Sequence, residues 1–491
     1  MDSMKDSAES LHQRKTLTSA VASLILGILS CILFGIFSAI PAVILGHKSL
    51  SILKRAPAEY RGKRLAITGL ISGYLGICLS LIIAVLILNA FRTYSVNDDD
   101  LVYNPQKIED SKNAYVMLLP VLKQIKETLD KNKSAFNDIE LAAQKHSADY
   151  KETDQLLRRY SFYLSKFSDA MMLNMFQVPI INDIESSPNP HFIGPLGLLE
   201  KLAVIKIESL LAGRKYEEAC EDIIKLFKYG YLLQNSDDGK YYFLLGLSAK
   251  KRSFVLIQKL VRESNMKSSY YRNLADQLQL FADNSSGLLK SFKRQYTVER
   301  TTIHGFLEKA FEETPEYKKK TREYKKILTE FYKHTWPMRF LFNESATIKE
   351  LAEFYRQEIK NIYGPYSEIK HKEIYRPPSW VNWATGNIIG KMLFALTPSW
   401  GRLINDKFES DAQYNLIKVL LALKENLADN HKLPDRLEDL VPNYLNDIPR
   451  DPFDGNSIRY SKTGKKIYSV FSDGKDDGGD EEKDLVLKLN D

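Results

Sequence analysis

Residues 17–45, LTSAVASLILGILSCILFGIFSAIPAVIL, and residues 65–88, LAITGLISGYLGICLSLIIAVLIL, contain no Asp, Glu, Lys or Arg. About 20 consecutive apolar residues cross a bilayer, so each run predicts one transmembrane helix. The expected partner of this pair is membrane lipid. Between the runs, residues 47–64 carry Lys48, Lys54, Arg55, Arg61, Lys63 and Arg64 against a single acid, Glu59. The positive-inside rule makes this loop cytoplasmic, and it puts both termini and everything after Phe91 outside the cytoplasm of a multi-pass inner-membrane protein. A cleavable signal peptide has an apolar core of about 7 to 15 residues. The first run is about twice that length, so it is expected to stay, although Ser38, Ala39 and Ala42 could mimic a cleavage site.

Gly27, Gly35, Gly69, Gly73 and Gly76 are small residues of the kind that let membrane helices approach closely, which predicts a tight hairpin. Ile44-Leu-Gly-His47, the basic loop and RGKRLAITGLISGYLG at 61–76 together resemble a bacterial two-helix membrane domain of unknown function, with a Gly-His loop and a Gly-rich second helix. The resemblance covers residues 16–90 and implies an anchor rather than an activity. His47, alone beside the lipid headgroups, reads as a helix-end cap or phosphate contact.

The formal net charge is +7, and the loop supplies six basic residues minus one acid, or +5. The rest of the chain is near neutral, which argues against nucleic acid as a partner. The basic run from Lys318 to Lys326, interleaved with Glu323, reads as a solvated helix face. Cys31 and Cys78 fall in the apolar runs, so Cys220 has no soluble partner for a disulfide and reads as a core residue. The eight histidines are scattered singly, with no pair at the one-turn spacing a zinc helix needs.

From a polar neck at Asn97–Asp100 to about Ser410, apolar residues recur at helical spacing through 114–129, 156–176, 198–212, 219–233, 242–261 and 327–340. Prolines at 179, 188, 190 and 195, and again at 365, 377 and 378, mark irregular connectors. Residues 210–227, LLAGRKYEEACEDIIKLF, end one helix near Gly213 and start another. They look like one tetratricopeptide helix hairpin, without the period near 34 residues that an array needs. Tyr241, Tyr242, Tyr270, Tyr271, Trp336, Trp380, Trp383 and Trp400 could line a partner groove, but aromatics at this density read first as core. No nucleophile elbow, phosphate-binding loop or dinucleotide fingerprint is present, and no enzymatic activity is inferred.

The last 80 residues change character. A helix at 412–429 leads into LPDRLEDLVPNYLNDIPRDPFDG at 433–455, and alternating residues at 457–461 and 466–471 around Thr463-Gly464 predict a β-hairpin. The loop DGKDDGGDEEKD at 473–484 is rich in carboxylates, with Gly474, Gly478 and Gly479 to bend it. Calcium takes about 6 to 8 oxygen ligands, and a Gly-Asp loop at a strand edge can supply them. A solvated acidic tail is the other reading open on the residues alone. Leu437, Leu440-Val-Pro442, Tyr444-Leu445, Pro449, Asp451-Pro452, Tyr460, Tyr468-Ser469, Ser472-Asp-Gly474 and Asp484 are similar to the C-terminal half of the major pseudopilin of bacterial type II secretion. That resemblance implies calcium in the stretch carrying Asp473, Asp476, Asp477, Asp480 and Asp484. Phe471 departs from the pattern, standing where a glycine is usual. The cleavable pilin leader is absent, so a filament subunit is not expected.

The fold class expected is therefore membrane-anchored. Residues 1–91 form a tail and a two-helix hairpin, 92–411 an extracytoplasmic all-α domain of helical hairpins, and 412–491 a small α+β pseudopilin-like module. The function expected is display of a helical interaction domain to protein partners of the cell envelope. Alternatives are an accessory component of a secretion or pilus-type assembly and an envelope hydrolase whose site is assembled from scattered residues.

Overall fold

Gly35 breaks the first apolar run in two. The computed structural model describes residues 14–145, 150–178, 192–236, 239–304, 342–369, 387–395, 397 and 400–489. Strand β1 (Lys15–Thr16) leads into helix α1 (Thr18–Leu29) and a π-helical turn at Ser30–Phe34. Gly35 then takes φ +48°, a left-handed value that glycine adopts freely, and the chain reverses into α2 (Ile36–Arg55). Strand β2 (Tyr60–Arg61) and α3 (Lys63–Phe91) follow. The single helix expected over 17–45 is thus an antiparallel pair. The run is half again as long as one crossing requires, and its excess length is used in the reversal. Ile36–Arg55 and Lys63–Leu88 are long and apolar enough to cross a membrane, and Thr18–Ile32 is a shorter apolar helix.

The three helices pack through small residues. The Ser19 and Ser49 hydroxyls lie 2.7 Å apart, and Ser23 Oγ donates to the Ala42 carbonyl at 2.7 Å. A Cβ built on Gly27 would sit 2.6 Å from the Gly69 carbonyl oxygen, so α1 and α3 cross backbone to backbone. The large apolar side chains face outward, with Phe37 86% and Leu88 70% exposed. β1 pairs parallel with β2, Lys15 opposite Tyr60 and Thr16 opposite Arg61. This corrects the expectation that the N-terminal edge and the basic loop lie at opposite ends of the anchor. They are side by side.

The chain divides into two compact units: Met1–Ser95 with Arg322–Thr347 and Tyr375–Ala395, and Val96–Thr321 with Ile348–Ile374 and Leu396–Asp491. The second unit contains α4 (Ala114–Lys131), α5 (Asn137–Lys145), α6 (Tyr150–Arg159), α7 (Ser161–Ala170), α8 (Ile193–Ala212), α9 (Tyr216–Gln234), α10 (Lys240–Glu263), α11 (Ser268–Gln279) and α12 (Ser285–His304). Of these, α4, α8, α9 and α10 follow the expected apolar stretches, the stretch expected over 156–176 is split at Tyr160 between α6 and α7, and α5, α11 and α12 are helices that those stretches do not include. The predicted turn after Ala212 is present, with Arg214 at φ +55° and Lys215 N–H donating to the Leu210 carbonyl at 2.8 Å. Cys220, Tyr242, Tyr271 and Trp400 are buried, as core positions should be, while Tyr241 is exposed and Tyr270 half-buried. Trp336, Trp380, Trp383, the run Lys318–Lys326 and the helix expected over 327–340 lie outside the described residues.

Helices α13 (Glu344–Tyr363) and α14 (Ile388–Ala395) precede α15 (Gly401–Asn430), which runs unbroken through residue 412, so the boundary expected there falls inside a helix. Strands β3 (Arg459–Ser461), β4 (Lys466–Ser469) and β5 (Leu485–Lys488) form an antiparallel sheet in that order. Ile467 and Leu487 share one continuous apolar core with Leu416 and Leu420 of α15 and with α8–α11. The C-terminal region is α+β, as expected, but its sheet completes the helical core rather than enclosing one of its own.

Candidate functional site

The acidic loop spans the gap between β4 and β5. Phe471 enters it at φ +56°, and Gly474, Gly478 and Gly479 turn it at φ +68°, +74° and +75°. Phe471 thus holds a left-handed conformation that glycine favours, at the position where the resemblance expects glycine. Its ring packs edge-on against Phe453, centroids 5.5 Å apart.

Each expected metal-binding acid has a different environment. Asp473 Oδ1 accepts from Lys475 N–H and Asp480 Oδ1 from Glu482 N–H, both at 3.0 Å, closing local turns. Asp476 Oδ1 accepts from the Tyr468 hydroxyl at 3.1 Å and from Gly478 N–H at 2.9 Å, and Oδ2 faces Arg459 at 3.5 Å. Asp477 pairs with Lys483 at 3.0 Å. Asp484 is buried. Its Oδ2 accepts from Gly479 N–H at 2.7 Å and Asp480 N–H at 3.2 Å, while its Oδ1 has no hydrogen-bond partner. Lys466 Nζ donates to the Gly479 carbonyl at 2.9 Å and supplies positive charge to the loop from the sheet.

The five acids are strung along the loop. Among the described residues, no three His, Cys, Asp or Glu side chains gather as a metal-holding group. Asp484 Oδ1, a buried oxygen without a donor, fits one ligand of a hard cation. The other four acids do not converge on it.

Beside the loop lies a cluster that spacing alone does not reveal. Asp451 is fully buried: Oδ1 accepts from Phe453 N–H and Ser469 Oγ, and Oδ2 from Val470 N–H and Arg459 Nη1, both the latter at 2.8 Å. Burial pushes its carboxyl above the usual range, with these hydrogen bonds opposing the rise. Arg459 also binds Asp454 and faces Asp476, so one guanidinium joins the 451–455 turn to the acidic loop. The sequence signal was the pair of turn-forming aspartates in DPFDG at 451–455; the partner, eight residues on, is set by strand register.

Towards the other end of the chain, the β1–β2 clasp lies beside basic residues of the N-terminal helical bundle, and on α2 His47 Nε2 lies 3.0 Å from the Tyr74 hydroxyl. Residues 19–83, from the start of α1 into the last third of α3, match the family described as Domain of unknown function (DUF4190). The matched stretch covers α1, α2, the loop after it and most of α3. No curated protein and no solved structure matches the chain.

Proposed function

We propose that this chain is a cell-envelope membrane protein whose three-helix bundle anchors a helical domain that binds protein partners outside the cytoplasm, with no enzymatic role. The bundle is built inside out relative to a water-soluble core, and this carries the proposal. Ala20, Ser23, Gly27, Ala39, Ala42 and Gly69 face one another, while Ile25, Ile32, Phe37, Ile44, Leu75 and Leu88 face outward. Water would penalise that arrangement and hydrocarbon would not, and small residues inside are what membrane helices use to pack. The match to a domain of unknown function supports an anchor and is silent on activity.

Calcium in the C-terminal loop belongs to the same proposal, with the unpartnered Oδ1 of Asp484 as its support. A second reading, an accessory component of a secretion or pilus-type assembly, draws on the left-handed Phe471 at the position where the resemblance to the major pseudopilin expects glycine and on the helix-plus-antiparallel-sheet arrangement of residues 401–489. Carbonate washing of membranes from cells expressing the full chain tests the anchor. Retention in the pellet until detergent is added is the expected result, and release into the alkaline wash overturns it.

A further inference from the structure

The end of the bundle where β1 meets β2 gathers cations from four elements. Lys15 comes from β1, Lys54 and Arg55 from the last turn of α2, Arg61 from β2, and Lys63 and Arg64 from the first turn of α3. All six are exposed, and none forms an ion pair with a carboxylate among the described residues. The single acid of residues 14–64, Glu59, uses its backbone carbonyl in the clasp, accepting from Lys15 N–H at 3.0 Å.

The clasp fixes this cluster. Leu17 N–H donates to the Arg61 carbonyl at 3.0 Å, and Arg61 Nε donates to Thr16 Oγ1 at 3.1 Å. Gly62, at φ +126°, joins β2 directly to α3. Lys15 and Arg61 are 46 positions apart in sequence, yet here they occupy neighbouring rungs. Six like charges held within a few residues' reach repel one another unless counter-charge is present. The apolar outer surface of the helices immediately above them places the cluster at the depth of lipid phosphates.

We infer that this clasp is a binding face for anionic phospholipid headgroups, which supply the counter-charge that no carboxylate among the described residues gives these cations. The inference rests on the anchor proposed above and names the lipid class it takes. Zwitterionic lipid offers no net charge, so a preference of several-fold for anionic lipid follows, and added salt should erase it.

The test is spin-label resonance on the full-length chain reconstituted in phosphatidylcholine vesicles, comparing motional restriction of trace spin-labelled phosphatidylglycerol with spin-labelled phosphatidylcholine. At low salt the expected result is severalfold more restriction of phosphatidylglycerol, falling to parity in molar salt and in a K54Q/R55Q/K63Q/R64Q variant. Equal restriction of the two lipids by the wild type at low salt overturns the inference while leaving the anchor intact. Failure to insert, seen as protein that floats free of the vesicles, overturns both. The wild-type salt titration stands by itself if the variant does not fold.

Discussion

Gly230 of α9 and Gly246 of α10 meet at a backbone-to-backbone crossing, where a Cβ built on Gly230 would lie 2.6 Å from the Gly246 carbonyl oxygen. Gly287 of α12 abuts the same region, its built Cβ 2.6 Å from the Gln234 carbonyl oxygen. Alanine is worth about 1 kcal/mol more than glycine in a helix interior. Here the neighbouring atoms are backbone and cannot rotate away, and overpacking typically costs about 1–3 kcal/mol. Gly230→Ala and Gly246→Ala should each lower the thermal unfolding midpoint of the full chain. A midpoint equal to or above wild type would show that the two helices can separate freely.

Glu299 on α12 lies beside Tyr355, whose ring meets those of Phe292 and Trp400 edge-on, and the Phe292 and Trp400 rings are tilted with centroids 4.4 Å apart. Burial pushes its carboxyl up to about 7, against hydrogen bonds donated by Gln295 at 2.8 Å and Thr397 at 3.2 Å. The folded state therefore holds a proton that the unfolded chain releases near pH 4.5. Folding stability from this group is complete below pH 4.5 and is lost as pH rises to about 7, by on the order of 3 kcal/mol. Urea unfolding at pH 5 and pH 7.5 should show Glu299→Gln gaining on wild type at the higher pH. An identical pH dependence in the two proteins would count against this.

Asp451 is the acid on which the C-terminal region depends. Asp451→Ala leaves the N–H groups of Phe453 and Val470 without their acceptor and takes one carboxylate from Arg459, which keeps Asp454; an unsatisfied buried donor costs about 1–3 kcal/mol. Asp435, on the surface beside Lys462, is the control: Asp435→Ala should leave the urea midpoint close to wild type. Equal effects from both variants would contradict the buried network.

Calcium should raise the unfolding midpoint of the full chain, because a ligand that binds only the folded state stabilises it. Asp484→Asn retains an acceptor for Gly479 and Asp480 N–H while removing the charge, so it should abolish the calcium shift with little effect in chelator. No shift with millimolar calcium in the wild type would leave the loop as an acidic segment held by Lys466 and Lys483.

Periodicity carried most of the helical architecture. The helices at 114–131, 193–212, 216–234 and 240–263 follow apolar spacing closely, because each buries one face against its neighbours. What composition could not carry was long-range. A run of apolar residues reads the same whether it continues through a glycine or reverses at it, so from sequence Gly35 reads as a packing residue although its backbone makes a turn. Strand β5 was missed because a four-residue strand after an acidic loop has little pattern of its own. The Asp451 network was hidden because burial decides its weight, and burial depends on the sheet.

The reversal at Gly35 changes what a topology experiment should find. With one helix over 17–45, a label at residue 15 and one at residue 57 would lie on opposite sides of the membrane. The parallel pairing of Lys15 with Tyr60 sets the two segments at one end of the bundle, and α3 runs away from that end, so the anchor proposed above predicts labels at 15 and 57 on one side. Single cysteines introduced as Lys15→Cys, Pro57→Cys and Asn97→Cys, in a chain with Cys31, Cys78 and Cys220 replaced by serine, can be probed with an impermeant maleimide in sealed inside-out and right-side-out vesicles. Positions 15 and 57 should react together and position 97 in the opposite preparation. Reaction of 15 with 97 would restore the two-crossing anchor and remove Lys15 from the cationic face.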